Sequence, residues 1–284
     1  MKKLLLVFTL HLFTALTFAQ DKPAYKIFDS NGKEVAYGKM LKSLKQSDII
    51  LFGELHNNPI AHWLQLEVTT DLGSSKDLIV GAEMIEADNQ DELDQYLKGD
   101  IDAEAFDTLA RLWPNYETDY APLVNYAKEE EIPFIATNIP RRFANRVYKY
   151  GFESLDSLSA EEKEWVAPLP IPFDSTLPTY VEILEMMGEH GTPELVMAQS
   201  TKDATMAHFI LKNYEDGHLF IHYNGAFHSN KYEGILWYLK RDREDITYST
   251  ITTVSQENVN RLLAENRELA DFIICVDENM TTTY

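Results

Sequence analysis

Apolar residues in this chain gather in short runs that stop on charged or imidazole side chains. Ile49, Ile50, Leu51 and Phe52 make the first run, within DIILFGELHNNP from Asp48 to Pro59, and it ends at Gly53, Glu54 and His56. Four consecutive apolar residues between polar flanks predict a strand buried on both faces. DLIVGAE ends on Glu83, IPFIATN ends on Asn138, and HLFIHYNGAFH carries its apolar core, Leu219 to Ile221, toward a loop holding His228. ITYSTITTV and ADFIICVD predict two further strands. Between the runs the spacing becomes helical, as with Trp63, Leu64 and Val68 in a segment opened by Pro59 and closed near Leu72. Helices are also predicted over Asp88 to Leu97, Ala103 to Leu112, Tyr120 to Glu131 and Glu257 to Glu268. The alternation predicts an α/β fold with a mainly parallel central sheet flanked by helices. Asp21 to Leu44 reads as a polar, peripheral lead-in with a hairpin turn at Asn31-Gly32.

One stretch breaks the alternation. RRFANRVYKYG reads as a helix stopped by Gly151, and prolines at 168, 170, 172 and 178 follow without a strand pattern. Tyr180 to Met187 and Pro193 to Tyr214 then read as helices. A small helical subdomain, about 141–215, is therefore expected as an insertion between strands of a single α/β domain over 20–284.

With 45% hydrophobic and 25% charged residues, the composition is that of an ordinary globular protein. Residues 1–19 are set apart: Lys2 and Lys3 precede an apolar run, and Thr17-Phe18-Ala19 offers a cleavage site, the pattern of an export signal. That run is shorter than the ~20 residues of a membrane span and is broken by His11. A periplasmic or extracellular location is expected. The net charge of −21 repels phosphate backbones, and no basic run offsets it, so nucleic acid is excluded as a partner. The single cysteine, Cys275, sits in a strand pattern; no internal disulfide and no lipid-bearing cysteine after the signal are expected.

If the strands ending at Glu54 with His56, at Glu83, and before His228 lie parallel and adjacent, their side chains meet in one crevice at the carboxyl edge of the sheet. Two histidines and two carboxylates suit a divalent metal such as zinc, manganese or iron. They equally suit metal-free acid/base catalysis, in which a carboxylate fixes the tautomer of a histidine. The bland alternative is a polar rim that satisfies strand ends. His222, inside its strand, reads as a core histidine. His62, His190 and His208 fall on predicted helices with no partner evident. Trp113, Tyr116 and Tyr120 recur at the spacing of a packed helical face, which a planar ligand could also use. Asn138 with Arg141 and Arg142 joins a strand end to a helix start, where guanidinium groups can take an anionic ligand. Gln199 and Asp203 share one face of a helix.

Taken in order, GELHNNP, WPNYETDYAPLVNYA, FIATNIPRR, AQSTKDATMAHF and the GAFH loop resemble the ChaN-like haem-binding uptake proteins, over about 40–277. That superfamily also holds the TIKI metalloproteases and the erythromycin esterases. The resemblance implies an exported protein that binds haem through a tyrosine, with Tyr116, Tyr120 and Tyr180 as candidates and Asn138, Arg141, Gln199 and Asp203 beside it. It further implies a homodimer around the haems and an outer-membrane or periplasmic uptake partner. The TIKI likeness rests on the two Gly-x-x-His motifs, Gly53 to His56 and Gly225 to His228, and implies metal-dependent hydrolysis at Glu54, His56, Glu83 and His228. The esterase likeness implies a metal-free, water-activating histidine at the same positions.

Overall fold

The structure, a computed structural model, describes residues 22–284. The expected export signal lies outside them. Strands β1 (Tyr25–Asp29), β2 (Ile49–Glu54), β3 (Leu78–Glu86), β4 (Phe134–Asn138), β5 (Leu219–Gly225), β6 (Tyr248–Gln256) and β7 (Phe272–Asp277) form one sheet in the order β1-β7-β6-β2-β5-β3-β4. All neighbours are parallel except the edge pair β1 and β7. Every residue of β2 and β5 is buried, as continuous apolar runs in a two-faced sheet require.

Helices α1 (Tyr37–Leu44), α2 (Pro59–Gly73), α3 (Gln90–Lys98), α4 (Ala103–Leu109) and α5 (Ala121–Glu129) cover one face. Their apolar sides meet Ile50, Phe52, Val80 and Ile221 from the strands. The opposite face, with Ile49, Leu51, Ile79 and Phe220, packs against α6 (Arg141–Tyr150), α9 (Pro193–Asn213) and α10 (Ile235–Asp242). Two short helices lie between α6 and α9: α7 (Ala160–Lys163) and α8 (Pro178–Met187). Successive strand residues thus feed opposite cores, which is the period-two rule of a pleated strand. Among the described residues no helix is long and apolar enough to cross a membrane.

Two expectations are corrected. The lead-in is not peripheral: β1 joins the sheet, and α1 buries Met40 and Leu44 completely. The helix expected over Glu257 to Glu268 is a loop with one short 3-10 turn at Ala264–Asn266. Gln256 explains the loop, since its amide donates to the carbonyls of Asn258 and Arg261 and accepts from the Leu263 amide, supplying side-chain partners in place of helical ones.

Candidate functional site

Strand β5 lies between β2 and β3, so its carboxyl end is the middle of the site. Glu54 is in register with Gly225, and Glu83 follows Ala82, which is in register with Tyr223. Parallel pairing therefore brings Glu54, Glu83 and the β5 exit to one level. The Asn58 side chain accepts from the Ile60 and Ala61 amides at 3.0 Å each, starting α2 immediately after the His56 turn and fixing that turn against the sheet.

The first half of the site is built on Glu54, which is 1% exposed. One carboxylate oxygen accepts from His56 Nδ1 at 2.8 Å and from the Tyr120 hydroxyl at 2.7 Å; the other accepts from the Gln65 amide at 2.5 Å. A donor is required at Nδ1, which leaves His56 Nε2 as the free nitrogen of the neutral ring. That nitrogen lies over Gly225, where a Cβ would stand 2.7 Å from it. The His56 carbonyl receives Asn115 Nδ2 and His62 Nε2, each at 3.0 Å. Asn115 also donates to Asp119 at 2.6 Å, and the Thr283 hydroxyl donates to the same oxygen at 2.7 Å. Burial works against a charged His56, but its hydrogen bond to Glu54 and the negative charges of Glu83 and Glu54 raise its pKa above 6.5.

The second half is a buried relay. Glu83 accepts from the Gly225 amide at 2.7 Å and from His228 Nε2 at 3.1 Å. His228 Nδ1 donates to Asp203 at 2.5 Å, and the other Asp203 oxygen accepts from the Tyr180 hydroxyl at 2.8 Å. Burial opposes charge on His228, yet the carboxylates on either side push its pKa up to about 9. The ring is therefore an imidazolium at neutral pH. Burial would raise Glu83, but His228 and then His56 hold it well below the usual carboxylate range. Asp203 moves the other way, because burial outweighs the help it receives from His228.

These groups face a cavity of about 940 Å³. Glu54, His56, Glu83, His228, Asn138, Arg141 and Gln199 line it, together with Trp113, Ile183, Lys202, Phe227 and Tyr284. Asp203 stands behind His228. The candidate tyrosines are placed differently: Tyr120 and Tyr180 give their hydroxyls to Glu54 and Asp203, the Tyr116 hydroxyl is buried without a partner, and none of the three lines the cavity. Arg141 and Arg142 also part company. Arg142 pairs with Asp88 at 2.5 Å, while Arg141 lines the cavity.

The divalent metal that was one of two readings of Glu54, His56, Glu83 and His228 finds no support in the geometry. Among the described residues no group of three or more His, Cys, Asp or Glu side chains is arranged to hold a metal ion. The physical reason is that both His228 nitrogens are engaged by carboxylates, and Glu54 spends its oxygens on His56, Tyr120 and Gln65. His62, Gln65, Asn115, Asp119 and Lys202 were not expected at the site. His62 and Gln65 are three apart on α2, and Asn115 and Asp119 are four apart, so one helical turn places each pair together. Their spacing was visible in the sequence; that His62 and Asn115 would meet on the His56 carbonyl and Gln65 on Glu54 was not.

A family model described as haem-binding uptake, Tiki superfamily, ChaN matches residues 40–239. Among solved structures, the chain is similar to ChaN of Campylobacter jejuni with cofacially bound haem: 18% identity, 88% of this chain and 96% of that one, TM-score 0.67. It is similar also to an erythromycin esterase, EreC, in its open conformation: 9% identity, 90% and 98% covered, TM-score 0.51. At these identities the two structures share the fold. The plant protein RETICULATA-RELATED 5, chloroplastic, of Arabidopsis thaliana is 25% identical over 215 residues, 68% of this chain and 29% of that protein.

Proposed function

The chain belongs to the haem-binding uptake, ChaN, family of the Tiki superfamily, and on that premise we propose that it is an exported protein that carries haem in the cavity at the carboxyl ends of β2, β3 and β5. The observation that carries this reading is the cavity itself. At about 940 Å³ it has room for a large ligand, and Trp113, Ile139, Ile183 and Phe227 give it aromatic and apolar surface for a flat macrocycle. Tyrosinate is an accepted iron ligand. One phenol that lines the cavity can supply it, that of Tyr284. Haem bound there would supply the iron that the protein carries. Pairing of two copies around the haem and transfer to a membrane uptake partner belong to the same proposal.

Titration of the mature protein with haemin is expected to give a shifted Soret band that saturates with protein. Tyr284→Phe is expected to remove the shift, and Tyr116→Phe to leave it. A spectrum indistinguishable from free haemin at micromolar protein would sink the reading.

A second reading is favoured by the His56 geometry. With Nδ1 held by Glu54 and Nε2 free toward the cavity, the ring can take a proton from water while Glu54 stabilises the resulting imidazolium, which is general-base hydrolysis without a metal. Its rate should rise with pH through the raised pKa of His56, because only the neutral ring accepts a proton. Carboxylic esters are the first substrates to try. A real activity should fall by roughly 10²–10⁴ in His56→Ala; an equal rate in that variant would assign any turnover to another group.

A further inference from the structure

The wall of the cavity where β4 passes into α6, Asn138-Ile139-Pro140-Arg141, holds charges and an acceptor that the preceding readings leave unused. The neighbouring Arg111 and Arg142 both pair with Asp88. Arg141 and Lys202 line the cavity and, among the described residues, neither has a carboxylate within ion-pair distance. Helix α6 begins at the same point with no acidic residue in its first turn and no side-chain cap, so its first amides present partial positive charge.

Asn138 is 8% exposed and lines the cavity; its Nδ2 donates to the Glu83 carbonyl at 3.0 Å, while its Oδ1 is buried with no partner among the described residues. Buried carbonyl oxygens are ordinarily satisfied, so an orphan one on a cavity wall marks where a ligand donor belongs. Glu54, Glu83 and Glu86 make the neighbouring wall acidic, which leaves the α6 start as the place for an anionic group.

We propose that this junction is a carboxylate subsite for a ligand carrying an N–H or O–H donor on the atom next to the carboxylate-bearing carbon, as in an N-acyl amino acid. Arg141, Lys202 and the α6 amides hold the carboxylate, and Asn138 Oδ1 accepts from the donor. The inference rests on the proposed reading only in placing a ligand in this cavity. A haem propionate offers the carboxylate without the donor, so the two sources of a carboxylate are separable.

The test compares N-acetylglycine with propionate on the mature protein by amide NMR titration, with haemin titrated in parallel. N-acetylglycine is expected to bind saturably, about fivefold more tightly than propionate, with the resonances of Asn138 and Arg141 moving. Arg141→Gln is expected to weaken both acids by about tenfold, and Asn138→Ala to bring the two affinities together. Equal affinities in the wild type, no saturable binding at millimolar concentration, or an unaffected Arg141→Gln would overturn the subsite, and each is read on protein that needs no change at Asn138. Haemin binding without a preference for N-acetylglycine rejects the subsite and keeps the haem reading; the reverse result rejects haem and keeps the subsite.

Discussion

Glu83 is the residue on which the two halves of the site depend together. Its carboxylate touches His228, accepts the Gly225 amide and lies close enough to raise the pKa of His56. Removing its charge while keeping its shape should therefore lower both histidines. Glu83→Gln is expected to shift the His228 midpoint down from about 9 and the His56 midpoint down from its raised value, read by NMR titration of the ring protons. Midpoints unchanged in both rings would mean that the three residues do not act as one site. Asp203 was legible only as a polar residue on a helix face, since nothing in its spacing tells that a histidine 25 residues later folds back onto it. Likewise Trp113, Tyr116 and Tyr120 read as one packed helical face, whereas Trp113 precedes the helical turn and lines the cavity and the Tyr120 hydroxyl ends on Glu54.

At the scale of elements, runs that stop on acids were readable because an unbroken apolar stretch has few places to go except a buried strand, and the carboxyl edge of a parallel sheet is where such strands open to ligands. Strand order was not readable. The insertion of β5 between β2 and β3 joins segments more than a hundred residues apart, and no local pattern encodes that pairing. The helix expected after β6 failed for a local reason, the side-chain bonds of Gln256, which periodicity does not register. Strand β5 exits at a glycine because the His56 ring occupies the space of a side chain at Gly225. Gly225→Ala places a methyl against that ring and should destabilise by about 1–3 kcal/mol through overpacking. Most of the loss should vanish in a His56→Ala background, where the ring is gone. Urea denaturation of the two single variants and the double variant measures the coupling, and an equal cost in both backgrounds would show that the close approach is not what demands glycine.

Over the whole molecule, two buried histidines with opposite environments make stability depend on pH in opposite directions. His222 lies inside β5 between the Thr137 hydroxyl and the Asn224 side chain, and burial lowers its pKa to about 4, so the folded ring stays neutral while the unfolded one charges near 6.5. Below pH 6.5 the unfolded chain binds the extra proton, and the stability held by His222 is lost as pH falls toward 4. His228 works in the other direction. Its folded pKa of about 9 means that the folded state holds the extra proton above pH 6.5, so its contribution is complete below 6.5 and is lost as pH rises through 9. Each span corresponds to a change on the order of 3 kcal/mol, and the raised His56 adds to the alkaline loss. Stability measured by urea denaturation should therefore peak near pH 6.5 and decline toward both pH 4 and pH 9. Asp203→Asn removes one of the carboxylates that charge His228, so the alkaline decline should flatten in that variant while the His222-linked loss on the acid side persists. Equal alkaline slopes in the variant and the wild type would show that the His228 relay does not carry the pH dependence.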